Sequence, residues 1–81
     1  MVKMTIDCMD RLHTTAMGAE RVKRNLGLET DDVVRWCREQ LLSQGAAAQR
    51  IGKNWYVTVN GCRITINARS GTIITAHKFS G

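Results

Sequence analysis

The chain has 81 residues, with 12 Lys and Arg against 7 Asp and Glu, which gives a formal net charge of +5. This length predicts one domain over residues 1–81, with a small core and a shallow cleft rather than a deep pocket. The positive balance favours a polyanionic partner, most simply nucleic acid, although a modest excess is also common in proteins that bind no polyanion.

The cysteines and the hydropathy argue against several classes of protein. Cys8, Cys37 and Cys62 are odd in number and far apart, and none belongs to a Cys-x-x-Cys pair. This pattern favours buried thiols in a reducing cytoplasm over a zinc site or a disulfide framework. No run approaches the ~20 apolar residues of a membrane span, and the N-terminus lacks the pattern of a signal peptide. We therefore expect a cytoplasmic protein without a metal or other cofactor.

Two helices are predicted in the first third of the chain. Between about residues 3 and 13, apolar residues recur at a helical spacing, namely Met4, Cys8, Met9 and Leu12. The alternation of apolar residues from 2 to 8 also allows a short strand there. A second helix begins after Thr14 or Thr15, because either can serve as its N-cap. It ends at Gly27, since glycine is preferred after a helix C-terminus.

A third helix is predicted from Thr30 to about Ser43. Thr30 is a good N-cap, and two acidic residues follow it in the positive first turn of the helix. The side chains expected to face inward are Val33, Val34, Cys37, Leu41 and Leu42. Residues 46–51 then predict a short first strand, which ends at a turn over residues 52–54.

The last third, residues 53–79, predicts a three-stranded antiparallel meander. Asn60-Gly61 lies between two alternating runs and is a strong hairpin signal, because both positions of a type I′ turn need positive φ. This turn pairs Val59 with Cys62 and fixes the register of the two strands. The predicted fold class is α+β, with two to three N-terminal helices (about residues 3–44) packed on a three- to four-stranded antiparallel β-meander (about residues 46–79).

The turn before the last strand has two interpretations. A three-residue loop that ends with Gly71 in the left-handed conformation pairs Thr65 with Thr75 and leaves Ile73 alone among polar side chains. A four-residue loop would put Ile73, Thr75 and His77 on the apolar face. We prefer the three-residue loop because it keeps both faces nearly consistent.

This register gives the sheet one apolar face and one polar face. The polar face is predicted to carry Tyr56, Thr58, Arg63, Thr65, Asn67, Thr75 and His77. Threonine suits strands, so a solvated face without a function explains the threonines alone in about two cases in three. The tyrosine, arginine and histidine are less usual, because solvated faces commonly carry Lys and Glu, and this one has no acidic residue.

The second predicted helix offers a further cationic group. Arg21 and Asn25 are four residues apart on one helical face, and Arg24 lies near them. A guanidinium and an amide near free helix amides suit a phosphate, whereas an ordinary solvated face accounts for these residues about equally well. His13 lies at the junction of two helices, where a histidine is more often a C-cap than a catalyst.

The sequence resembles a family of small uncharacterised bacterial domains. The matching segments are Leu12-His13-Thr14-Thr15 with Gly18, Arg21 and Asn25, then Gly52 to Val57, and then Thr65 to Lys78, ending in the strand Thr72-Ile73-Ile74-Thr75-Ala76-His77-Lys78. These segments cover most of the chain. The resemblance implies relatedness and no particular chemistry.

A looser resemblance is to the barnase/EndoU/colicin/RelE group of small ribonucleases. It rests on N-terminal helices followed by a four-stranded antiparallel meander, on small size and basic charge, and on the strand from Gly71 to Ala76. It implies metal-independent RNA cleavage, which needs a general base, a general acid and stabilisation of a charged phosphorane. The residues predicted to be catalytic are His13, His77, Thr75 and Arg21. Those predicted to bind RNA are Arg63, Thr65, Tyr56, Asn25, Lys53 and Lys78.

The sequence therefore predicts a toxin-like, metal-independent endoribonuclease that acts on cellular RNA. Its partners would be RNA and a neutralising antitoxin protein, and an exposed edge strand would also allow a homodimer. Two alternatives stay open. One is a non-catalytic RNA- or protein-binding module, such as a phage-type inhibitor, that uses the same polar face. The other is a small-molecule sensing domain.

Overall fold

The structure, a computed structural model, describes residues 9–79. Its elements are a 3-10 turn at Met9–Arg11, helices α1 (Ala16–Leu26) and α2 (Val33–Leu41), and strands β1 (Ala47–Ile51), β2 (Asn54–Val59), β3 (Cys62–Asn67) and β4 (Ile73–Lys78). The strands form one antiparallel sheet in the order β1-β2-β3-β4. The predicted α+β class and β-meander are therefore confirmed. Neither helix in this part of the chain is long and apolar enough to cross a membrane.

The core lies between the two helices and one face of the sheet. Its largest fully buried side chains are Ile64, Ile66, Ile73, Val22, Val57 and Cys37. Full burial of an aliphatic side chain of this size contributes about 1.5–3 kcal/mol, so this layer is a major favourable contribution to folding. Leu42 was predicted to face inward, but it is 70% exposed because α2 ends one residue earlier.

The helix boundaries follow local capping chemistry. Thr15 is the N-cap of α1, and its Oγ1 accepts a hydrogen bond from the Gly18 amide at 2.9 Å. Gly27 follows α1 in the left-handed conformation, as predicted. The start of α2 was predicted wrongly, because Asp32 rather than Thr30 caps it and accepts from the Arg35 amide at 3.0 Å.

The first predicted helix is largely outside the described residues, and its described end differs from the prediction. The 3-10 turn stops at Arg11, Leu12 is buried, and His13 forms a parallel bridge with Thr72. If the helix continued to His13, the backbone amide and carbonyl of His13 would bond within the helix and could not form this bridge. Position 13 is therefore extended backbone beside β4.

The two hairpins of the meander differ in regularity. Asn60 and Gly61 have φ of 49° and 76°, as a type I′ turn requires, and β2 pairs with β3 in the predicted register. On β4, Thr75 pairs with Thr65 as predicted, but Ile66 pairs with Ile73. Residue 74 is therefore an extra residue, a β-bulge.

Neither predicted interpretation of the second turn is fully correct, because the structure combines a four-residue loop with a bulge. Residues 68–71 form a four-residue loop, because the Asn67 amide bonds to the Thr72 carbonyl and the Gly71 amide bonds back to the Asn67 carbonyl. A four-residue loop alone would exchange the side chains of β4 between the two faces of the sheet. The extra residue at the bulge exchanges them a second time, so the residues after it return to the faces predicted with the three-residue loop. Ile73 is consequently buried at 1% exposure on the apolar face, while the strand partners of Thr75 and His77 place them on the polar face.

The outer edge of β4 is covered by the segment before α1 and by α1 itself. The His13 amide donates to the Gly71 carbonyl at 3.0 Å, and its carbonyl accepts from the Ile73 amide at 2.7 Å. Thr14 Oγ1 then donates to the Ile73 carbonyl and Asn25 Nδ2 to the Ala76 carbonyl, each at 3.1 Å. These contacts satisfy backbone groups that would otherwise form an open sheet edge.

Candidate nucleic-acid interface

The polar face of the sheet is the surface opposite the helices, and the observed register defines it. Cross-strand pairing lines its side chains up in three rows: Thr58, Arg63 and His77 in the first, Tyr56, Thr65 and Thr75 in the second, Asn54 and Asn67 in the third. The polar residues predicted for this face therefore do lie on it. Both helices pack against the other side of the sheet, so neither helix covers this one.

The charge of the chain is concentrated in its sheet half. All seven acidic residues lie before residue 40, and the basic residues of that same segment balance their charge. From residue 46 onward the sequence has no Asp or Glu and five cationic side chains: Arg50, Lys53, Arg63, Arg69 and Lys78. In the described part of the chain, none of these five forms a salt bridge. The whole formal net charge of +5 therefore belongs to the sheet and its loops.

Among residues 9–79, Arg63 is the one cation that stands on the polar face itself. Its guanidinium carbon lies 4.1 Å from the centroid of the Phe79 ring, within the range of a cation–π contact. Its Nε is buried and has no hydrogen-bond acceptor among residues 9–79. An unpaired donor on a charged group is costly, so this side chain is held in a position that an acceptor would stabilise.

His77 is the cross-strand neighbour of Arg63, as predicted. It is exposed, and its Nδ1 lies 2.9 Å from the Lys78 carbonyl oxygen. A carbonyl only accepts, so Nδ1 carries the proton and Nε2 is the acceptor of the neutral ring. Thr75 is half-buried beside this pair, whereas Thr65 is only 7% exposed and offers a ligand little surface.

The other end of the polar face carries a hydrogen-bond network that sequence analysis missed. His13 Nδ1 donates to the Arg11 carbonyl at 2.8 Å, and Nε2 of the neutral ring accepts from Thr72 Oγ1 at 3.0 Å. Thr72 Oγ1 lies 2.7 Å from Ser70 Oγ. Asn67 Oδ1 holds the loop by accepting from the Ser70 amide at 2.9 Å. We call His13, Thr72, Ser70 and Asn67 the loop-end network.

Part of the loop-end network has a sequence signal. Asn commonly forms an Asx turn with the amide two residues further along, and Asn67 Oδ1 accepts from the Arg69 amide at 3.0 Å in this way. The contribution of His13 has no such signal, because it depends on a contact between residues 59 positions apart.

The structure does not bring the two histidines together. His13 lies beside Thr72, and His77 is five residues further along the chain, which at about 3.3 Å per residue places the two backbone positions roughly 15 Å apart. One phosphate cannot contact both groups. This separation argues against a mechanism in which the two histidines act as the acid and base of one cleavage step.

The remaining predicted site residues are dispersed. Arg21 lies on the exposed side of α1, where it lines a shallow depression of about 320 Å³ together with Met17, Glu20 and Arg24. The Asn25 amide is occupied by the Ala76 carbonyl. Lys78 pairs with Cys62 and so stands on the face opposite His77. None of these three belongs to the polar face.

Lys53 lies in the turn between β1 and β2, where it lines a cavity of about 620 Å³. The cavity opens at the end of the sheet that carries the loop-end network. It shares Asn67 with that network. The other residues that line this cationic cavity are Arg50, Gly52, Ala68 and Arg69.

The two described cysteines are not candidates for catalysis. Cys37 and Cys62 are free and buried, as predicted. Burial raises the pKa of Cys37 to about 12, with a smaller contribution from the neighbouring Cys62, and burial also raises the pKa of Cys62. Both thiols stay protonated near neutral pH and are poor nucleophiles.

The comparisons with known proteins identify a family without assigning a function. No curated protein and no solved structure gives a significant match to this chain. A family model matches residues 6–77, which cover most of the sequence, under the description protein of unknown function. The chain therefore belongs to the DUF3781 family, as its resemblance to small uncharacterised domains implied.

Proposed function

We propose that this protein binds single-stranded RNA across the polar face of its sheet. The observation that carries the proposal is Arg63, a cation on this face whose Nε is buried without an acceptor in residues 9–79. A phosphate oxygen is a strong acceptor for a guanidinium. An RNA phosphate that took the place of the Phe79 ring would supply the missing hydrogen bond and free that ring to stack on a base.

The layout of the polar face supports a single strand rather than a duplex. Arg63 and Asn67 lie four residues apart on β3, so the rows span roughly 13 Å, a length of a few nucleotides. Tyr56 stands between them and offers an aromatic ring for base stacking. The absence of acidic residues after residue 39 removes the repulsion that would oppose a polyanion on this side.

The test is fluorescence anisotropy with a labelled single-stranded RNA oligonucleotide. We expect Arg63→Gln to weaken binding by about tenfold, the effect of losing one charge-assisted hydrogen bond. Arg38→Gln is the matched control, because Arg38 is exposed in the last turn of α2, on the other side of the sheet. Equal effects of the two substitutions would show that only net charge matters and would contradict the proposal.

A second candidate function is metal-independent cleavage of the bound RNA, and the loop-end network favours it. His13 Nδ1 is fixed by a carbonyl and Nε2 faces a hydroxyl, which is the arrangement of a general base with its orienting group. His77 offers a similarly fixed ring beside Arg63. Since the rings are far apart, one histidine would act at any one phosphate. Such a ribonuclease would be toxin-like and would need an antitoxin protein.

Cleavage is tested by incubating the protein with cellular RNA in EDTA, beside His13→Gln and His77→Gln. The single-histidine proposal expects products with 2′,3′-cyclic phosphate ends and the loss of cleavage in one variant only. Loss in both variants would contradict it. Intact RNA with retained binding would remove the ribonuclease proposal. Absence of RNA binding would instead favour a protein partner for the polar face.

A further inference from the structure

The cationic cavity is a concave site formed by two loops at one end of the sheet. It has a volume of about 620 Å³ and lies between the β1–β2 turn and the loop that joins β3 to β4. Small-molecule sites in proteins commonly measure ~300–1,000 Å³. A single inorganic ion would fill only a small part of such a space, whereas a nucleotide would fill much of it.

Three of the six residues that line the cavity carry a positive charge. Arg50 and Lys53 come from the β1–β2 hairpin and Arg69 from the loop between β3 and β4, and none forms a salt bridge within residues 9–79. Asn67 also lines the cavity, and its side-chain oxygen already accepts from the Arg69 and Ser70 amides. Its remaining hydrogen-bonding group is the NH₂, which donates. Such a lining selects an acceptor with more than one negative charge.

The walls of the cavity are held in place without a ligand. The Ala68 amide donates to the Lys53 carbonyl at 2.9 Å and ties the two loops together. Arg50 Nε donates to the Gly52 carbonyl at 3.0 Å, and its guanidinium lies 5.8 Å from the centroid of the Trp55 ring. A cation that is already positioned loses less conformational entropy when it binds. A fixed guanidinium and two loops that are bonded to each other distinguish the cavity from dispersed surface lysines and arginines.

We propose that the cationic cavity binds the phosphomonoester of a nucleotide, and that in RNA this group is the terminal phosphate of the strand. A phosphomonoester carries close to two negative charges at neutral pH, which matches three cations better than the single charge of an internal phosphodiester does. The cavity lies at the end of the polar face, beside Asn67, where a bound strand would terminate. This inference rests on the proposed RNA binding for the source of the nucleotide, whereas the cavity itself does not depend on it.

The experiment compares RNA oligonucleotides of one sequence that differ only at an end: 5′-phosphate, 3′-phosphate or hydroxyl at both ends. We expect one phosphorylated form to bind at least tenfold more tightly than the hydroxyl form. Lys53→Gln combined with Arg69→Gln should abolish this preference, since both side chains are exposed in loops and their replacement leaves the core intact. The control is Arg24→Gln with Arg38→Gln, which removes the same charge from the helices.

A parallel titration with adenosine monophosphate, followed by NMR, separates the two sources of the phosphate. If RNA binds equally well with all three ends, the inference is overturned while the proposed RNA binding stands. If RNA fails to bind but the mononucleotide binds in a manner sensitive to Lys53 and Arg69, the cavity takes free nucleotides and the proposed RNA binding fails. If neither the mononucleotide nor a terminal phosphate is recognised, the inference is overturned whatever the RNA affinity.

Discussion

Asn25 distinguishes a structural role from a ligand-binding role, because the two predict opposite results for one substitution. In the structure its side-chain amide donates to the Ala76 carbonyl at 3.1 Å, on the outer edge of β4. Asn25→Ala removes this bond and leaves a partly buried carbonyl without its partner, which costs about 1–2 kcal/mol. For a domain of this length, each kcal/mol lowers Tm by about 4–8 °C. We therefore expect Tm to fall by about 5–15 °C.

The assay pairs thermal unfolding, followed by circular dichroism, with RNA anisotropy at a temperature where the variant is folded. RNA affinity should stay within about twofold of the original, since the amide faces the strand edge rather than a ligand. Asn54→Ala is the control, and it should do the opposite: lower RNA affinity with little change in Tm. Asn54 is on the polar face, and its bond to the Tyr56 hydroxyl is long, at 3.4 Å. An unchanged Tm with strongly reduced RNA affinity in Asn25→Ala would refute the structural role and restore the prediction made from sequence.

Three further predictions concern turns, thiols and salt. Gly71→Ala should lower Tm by more than Gly52→Ala, because both have positive φ but the new Cβ at position 71 would lie 2.6 Å from a backbone oxygen and the one at position 52 in open space. Cys37 and Cys62 should react with a thiol reagent only after unfolding, measured in a Cys8→Ser background. Since burial raises the pKa of both thiols, stability should be independent of them below about pH 9 and fall above it, as the unfolded thiols ionise. Finally, three to four phosphate contacts should give a slope of about −2 to −3 for log K of RNA binding against log salt, and a slope near zero would show that phosphate contacts do not hold the RNA.

Local chemistry explains why much of the fold could be predicted from sequence. The positive φ that a type I′ turn needs restricts Asn60-Gly61 to a hairpin, and one hairpin then fixes which side chains of β2 and β3 share a face. Gly27 ends α1 for a similarly local reason. The part of the polar face on β2 and β3 followed from these rules, because every step spans only a few residues. The part on β4 was predicted through an incorrect turn, whose effect on the faces the bulge at residue 74 offsets.

Long-range contacts decide what the sequence could not predict. His13 was assigned to a helix end, yet its backbone pairs with β4 and its ring reaches Thr72. The side-chain amide of Asn25 is a group that can bind a phosphate, but it donates its hydrogen bond to a backbone carbonyl 51 residues away in the sequence. Helical spacing shows which residues share a side of a helix, and it does not show whether that side meets solvent or an unpaired strand edge.

The bulge at Ile74 predicts that β4 tolerates the deletion of one residue. Ile66 pairs with Ile73 and Thr65 with Thr75, so removing residue 74 gives a regular strand in which every other side chain keeps its face. Deletion of Ile74 should therefore fold, with a loss of about 1–2 kcal/mol from its partial burial and from adjusted edge contacts. Deletion of Thr58 is the control, because β2 has no bulge to absorb the change and its apolar residues on one side of the gap would turn outward. We expect a cooperative thermal transition and retained RNA binding for the first deletion and neither for the second. Equal disruption by both would show that the bulge, rather than the alternation of faces, determines where Thr75 and His77 stand.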